Sequence, residues 1–153
     1  MQEQQSATLR TIFSEVLANL AFMFDDDELA EVTSGEQWLE TEISYEGPSR
    51  GALRLRCTRE FAQLLAGNLL GIDPQDQEDD EVGEDAVKEF MNIVCGQLVT
   101  ALHGTEDIFN LTIPEIRQLS ETPDFDHDSA LETISLSVES HRVELSYSPG
   151  NEI

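Results

Sequence analysis

Apolar residues recur at helical spacing from the start of the chain. Leu9, Ile12, Phe13, Val16, Leu17, Leu20 and Phe24 form one stripe and predict an amphipathic helix over residues 6–24. Ser6 is the candidate N-cap, and the stretch from Asp25 to Leu29 breaks the pattern. The period then changes. Trp38–Tyr45 and Ala52–Cys57 alternate as two strands, joined by the turn Glu46-Gly-Pro-Ser-Arg-Gly51. Thr58 reads as the cap of a helix running to about Leu70, with Gly71 and Pro74 as its stop. Residues 73–84 form an acidic loop without apolar periodicity, and a long helix follows from Asp85 to about His103, ended by Gly104. Three strand-like runs complete the chain. They are 111–119, with Pro114 at an edge or bulge, then 131–139 and 142–148, with Ser140-His141 at the turn.

This order predicts an α+β domain, an antiparallel sheet with long helices layered on it. Each half opens with a long helix followed by antiparallel strands, which reads as a weak internal duplication. At 153 residues the chain is expected to be one domain, 1–153.

Composition narrows the class. A 39% hydrophobic content with one Trp and seven Phe argues for a packed core. No apolar run approaches the ~20 residues of a membrane span. Met1-Gln-Glu-Gln-Gln5 lacks the basic start and apolar stretch of a signal peptide, so a cytoplasmic protein is expected. Cys57 and Cys95 sit inside apolar patterns and read as reduced, buried thiols. The net charge of −24, from 32 acids against 8 bases, repels phosphate backbones and anionic lipid. Nucleic acid and membrane surfaces are thereby excluded as expected partners, while a basic partner surface would be attracted.

Candidate chemistry lies on the back of the second long helix. At about 100° per residue, Asp85, Glu89 and Asn92 fall within roughly 60° of one another, and Gly96 joins them. Val87, Phe90, Met91, Val94, Leu98, Ala101 and Leu102 centre on the opposite side. A carboxylate and a carboxamide are thus expected to point together into solvent, with Gly96 leaving room for another molecule's backbone. Taken alone, a Glu and an Asn one turn apart describe an ordinary solvated face. Elsewhere, Asp124-Phe-Asp126-His127-Asp128 and Gln75–Asp80 lack metal-ligand spacing and read as solvated loops. His103, His127 and His141 fall near element ends, where polar surface roles are the default, and Phe22, Met23 and Phe24 read as core, with a partner-facing patch as the alternative.

The longer pattern is more specific. Asp85, three residues, Glu89, two residues, Asn92, twenty-one residues, Pro114 resembles the signature of the CheC/CheX/FliY phosphatases of bacterial chemotaxis. Glu15-Val-Leu-Ala-Asn-Leu-Ala-Phe-Met-Phe24 resembles the family's first helix. Tyr45-Glu-Gly-Pro48 through Gly51-Ala-Leu-Arg-Leu55 resembles its first strand pair. Ala66-Gly-Asn-Leu-Leu-Gly71 is similar to the following helix end, and Asn92-Ile-Val-Cys-Gly96 to the usual continuation of the motif. The resemblance covers most of residues 9–114, and the single motif and short length favour CheX over CheC.

That resemblance implies a pseudo-twofold fold, a homodimer formed by strand exchange, and hydrolysis of the aspartyl phosphate of a CheY-like response regulator. Asn92 would orient the attacking water and Glu89 would pair with the regulator's lysine. Asp85, Gly96 and Pro114 would shape the site. No intrinsic cofactor or metal is implied, since Mg2+ belongs to the regulator. The register of a second motif on the first helix would fall on Ser14, Ala18 and Ala21, so one site per chain is expected. The rival reading is a non-catalytic module that docks on a receiver domain or a flagellar switch component.

Overall fold

The computed structural model describes residues 2–26, 28–29, 35–73, 81–122 and 132–149, with side chains for all of these except 2–7, 132 and 149. The first helix, α1, spans Gln2–Val16 and continues through one π-helical turn, Leu17–Ala21. It begins four residues earlier than the pattern predicts, so Ser6 lies inside it and is not its cap. The π turn also corrects the expected end. One extra residue in a turn rotates everything beyond it by about 100°. Met23 therefore takes the core position at 0% exposure, while Phe22 and Phe24 are turned out at 73% and 65%. Phe22 itself adopts the left-handed conformation (φ 53°), and the Asn68 amide donates to the Ala21 carbonyl at 2.8 Å.

The strands β1 (Trp38–Glu46) and β2 (Gly51–Thr58) match their predicted ranges to within a residue. Helix α2 spans Arg59–Leu70. As expected, Thr58 Oγ1 accepts from Phe61 N at 3.1 Å, and Gly71 closes the helix at φ 70°. Helix α3 spans Glu81–His103, so the acidic segment contributes Glu81–Glu84 to its first turn, where carboxylates favour the helix dipole. Residues 74–80 of the predicted loop lie outside the described residues, as do Asp124–Asp128.

The predicted strand 111–119 is split into β3 (Asn110–Leu111) and β4 (Glu115–Leu119), with Pro114 in the break. Both pair with the same edge of β1. Proline has no N–H to donate, and the ladder stops where it stands. Strands β5 (Glu132–Val138) and β6 (His141–Pro149) form a hairpin whose two turn residues, Glu139 and Ser140, both have positive φ, 52° and 68°. His141 thus belongs to β6 and not to the turn. Asp26 Oδ2 holds the turn by accepting from Ser140 N at 2.8 Å.

All pairings are antiparallel, in the order β3-β1-β2-β6-β5 with β4 also on β1. The β2–β6 pair therefore joins the two hairpins at the centre. Alternation puts Leu39, Ile43, Leu53, Leu55, Leu136, Val143 and Leu145 on one face, where they meet the buried stripes of the helices. The other face is polar. There Glu40, only 4% exposed, lies 3.0 Å from Arg56 Nε and 2.6 Å from Arg117 Nε.

Candidate functional site

Helix α3 carries the candidate site because its own sequence makes it long and its neighbours hold it still. Val87, Phe90, Met91, Val94, Cys95 and Leu98 are buried beneath it. Phe90 meets Phe13 of α1 edge to face, with ring centroids 5.3 Å apart. Near its start Arg59 of α2 reaches Glu84 at 3.5 Å. Near its end His103 Nε2 lies 3.1 Å from the Tyr45 hydroxyl and its ring stacks on Phe109. His103 is therefore a packed anchor, contrary to the surface role that its place near a helix end suggests. Gly104, at φ 77°, closes the helix with its N–H on the Thr100 carbonyl at 2.9 Å.

Asp85, Glu89 and Asn92 are all exposed, and Gly96 is half-buried. The helix is continuous from Glu81 to His103, so the regular rotation holds and the three polar side chains leave the same side of one rod. Asn92 also lines an open groove of about 530 Å³ between α1 and α3, together with Ile12, Ile93, Gly96, Gln97 and Thr100. Pro114 is half-buried in the break between β3 and β4 and is not part of this lining. On the first helix, Ala21, the last residue of the π turn, is fully buried.

The sequence did not mark Gln97 or Thr100 as site residues, and it placed Ile12 only in the apolar stripe of α1. Thr100 had a signal, since at about 100° per residue it continues the stripe of Asp85, Glu89, Asn92 and Gly96. Ile12 had none, because its helix stripe is indistinguishable from core packing.

Both thiols are free and buried, as expected from their patterns. Burial pushes each of them up to about 12, which keeps them protonated and unreactive. One trio of metal-type donors occurs among the described residues. Glu36, Glu60 and His141 bring ligand atoms within 4.8 Å of one another, and none of the three is fully buried. They come from the segment before β1, the first turn of α2 and the start of β6.

The family model for chemotaxis phosphatase CheX matches residues 41–137, from β1 through α3 to β5. The chain belongs to the CheX family. Solved structures share its fold over nearly their whole length. CheX from Vibrio vulnificus matches with a TM-score of 0.73 at 16% identity, covering 97% of this chain and 98% of that one. CheX from Desulfovibrio desulfuricans gives 0.70 at 17%, with 95% and 99% covered. The CheX of a CheX–CheY–BeF3–Mg2+ complex from Borrelia burgdorferi gives 0.61 at 18%, with 92% and 94% covered. No curated protein matches the chain.

The CheX family is named for chemotaxis phosphatases. Among the described residues no helix is long and apolar enough to cross a membrane.

Proposed function

We propose that this CheX-family chain hydrolyses the aspartyl phosphate of a CheY-like response regulator. One observation carries the reading. Asn92 and Glu89 are exposed one turn apart on a helix whose other face is locked into the core, beside an open groove. An acyl phosphate needs little covalent help, because phosphoryl transfer depends mainly on placement and electrostatics. The Asn92 carboxamide both donates and accepts hydrogen bonds, so it can hold a water in line with the phosphorus. The water oxygen bonds to phosphorus, the acyl oxygen leaves as the regulator's aspartate, and the water's proton passes to phosphate or solvent. Glu89 pairs with the regulator's lysine and sets the depth to which α3 enters.

Asp85 and Gly96 shape the approach on the same stripe, and Pro114 acts at one remove through the β3–β4 break. Magnesium in this scheme sits on the regulator, and the reaction takes place in the cytoplasm. That a fold relative has been crystallised in complex with CheY supports the choice of partner. A homodimer belongs to the same reading. At the outer edge of β5, Asp25 bridges Val138 and Asp26 N donates to the Ser137 carbonyl at 2.6 Å; among the described residues no strand pairs along the rest of that edge, where a second copy could add.

The test is phosphate release from a phosphorylated receiver. Substoichiometric wild-type chain should accelerate release with multiple turnovers, and Asn92→Ala should lower the rate about 100-fold. Release that is unchanged by wild type, or protection at one-to-one stoichiometry, would favour the docking module instead.

A further inference from the structure

Three segments far apart in sequence bring two carboxylates and an imidazole together at one end of the sheet. Glu36 precedes β1, Glu60 lies in the first turn of α2 and His141 opens β6, and their ligand atoms all lie within 4.8 Å of one another. The backbone beneath each is fixed by separate contacts. Arg59 N donates to the Gln37 carbonyl at 2.9 Å, and Arg59 Nε donates to Gln37 Oε1 at 3.0 Å. These two bonds hold the neighbouring Glu36 and Glu60 side by side. His141 is set by its pairing with Val138 and by the turn that Asp26 holds at Ser140.

Contacts within the chain do not explain this grouping. Two carboxylates at such a range repel each other. Arg59, next to Glu60 in sequence, turns its guanidinium to Gln37 and Glu84. Among the described residues, the side chains of Glu36, Glu60 and His141 make no hydrogen bond or ion pair with one another or with any other residue. Glu36 and Glu60 also line an open pocket of about 320 Å³, together with Thr58 and Gln63.

We propose that Glu36, Glu60 and His141 bind a divalent first-row transition cation of the zinc class. The imidazole in the donor set favours such an ion over magnesium or calcium, which prefer oxygen alone. A cation equidistant from three atoms 4.8 Å apart would sit about 2.8 Å from each, against the ~2.0–2.2 Å of zinc to imidazole nitrogen or carboxylate oxygen. Rotation of the exposed Glu60 and half-buried Glu36 side chains closes that difference. Water from the pocket fills the remaining positions. The ion neutralises the two facing carboxylates and clips the entry to β1, helix α2 and the β5–β6 hairpin together. This site is separate from the stripe on α3, and it requires no receiver.

The experiment uses the untagged full chain, stripped of metal by a chelator and titrated with zinc chloride in a calorimeter at physiological salt. Wild type should bind one equivalent with a Kd on the order of 10 μM. His141→Ala and Glu60→Gln should each weaken binding about tenfold or more, whereas His127→Ala should bind as wild type. Cobalt in place of zinc should give a visible absorption band that His141→Ala loses. Saturating zinc should raise the thermal midpoint of wild type by about 4 °C and leave that of Glu60→Gln unmoved. Without zinc, Glu60→Gln should melt no lower than wild type, because it removes a like charge. A lower metal-free midpoint would assign Glu60 a packing role and overturn the site. So would no binding, a loss confined to His127→Ala, or several weak equivalents that none of these substitutions changes, the mark of diffuse attraction to an acidic chain. Because no receiver is present, either result leaves the phosphatase reading to its own test.

Discussion

The Tyr45 hydroxyl lies 3.1 Å from His103 Nε2, tying β1 to the last turn of the helix that carries Glu89 and Asn92. The same hydroxyl lies 2.9 Å from that of Tyr147 in β6, 102 residues away. Burial, then the bond to Tyr147, raises the Tyr45 phenol above its usual range, so it stays protonated. Gly51 makes room for it, since a Cβ there would lie 2.6 Å from the Tyr45 oxygen. Tyr45→Phe keeps the ring but leaves His103 and Tyr147 without their shared partner. It should cost about 1–2 kcal/mol and lower the thermal midpoint by about 3–6 °C, read by calorimetry.

Asn92 and Glu89 should separate in kinetics. Asn92→Asp keeps the shape but puts a carboxylate opposite the phosphoryl oxygens, and should lose at least as much turnover as Asn92→Ala. Glu89→Ala removes the partner of the regulator's lysine, so it should raise KM as well as lower kcat. Both side chains are exposed. The unfolding free energies of these variants, from urea curves, should therefore stay within about 0.5 kcal/mol of wild type.

Gly83 offers the converse of Gly96. Gly83→Ala gains helix propensity of about 1 kcal/mol, but its methyl presses on the backbone of α2 at Ala62. Main chain inside a helix yields little, and overpacking costs about 1–3 kcal/mol. Chemical denaturation should show Gly83→Ala less stable than wild type, whereas Gly96→Ala, whose Cβ would meet none of the described residues within 4 Å, should be more stable.

Glu40 governs the acid limb of stability. Burial alone would raise its pKa, but hydrogen bonds from Arg56 and Arg117, with the charges of Arg117 and Arg54, outweigh it and bring the carboxyl below 4.5. A folded value below the unfolded one means stability that is present above 4.5 and lost as pH falls through the folded value. Glu40→Gln should cost roughly 1–3 kcal/mol at neutral pH, because it takes the charged partner from the half-buried Arg56 guanidinium. Its stability should then fall less steeply than wild type as pH drops below 4.5, as a pH series of urea unfolding curves would show.

Cys57 and Cys95, both pushed up to about 12 by burial, should resist a thiol reagent at pH 8 in the native state. Both should react once urea unfolds the chain. Rapid native labelling of either would contradict the packing of β2 or α3.

Local chemistry was legible from residue order alone. Period-two and period-3.6 patterns constrain backbone dihedrals within a few residues, so β1, β2, the Thr58 cap, the Gly71 and Gly104 stops and the outward stripe of Asp85, Glu89 and Asn92 could be placed by inspection. Where inspection erred, a contact from elsewhere in the chain had intervened. The π turn that expels Phe22 and Phe24 is met by Asn68, 47 residues on from Ala21. His103 became a half-buried anchor because β1 brought Tyr45 against it. The meeting of β2 with β6, the groove shared by Ile12 and Asn92, and the difference between Gly83 and Gly96 were decided only by tertiary packing. Periodicity specifies which face of an element is buried. It does not specify which distant element covers that face, because many partners would bury the same apolar area equally well.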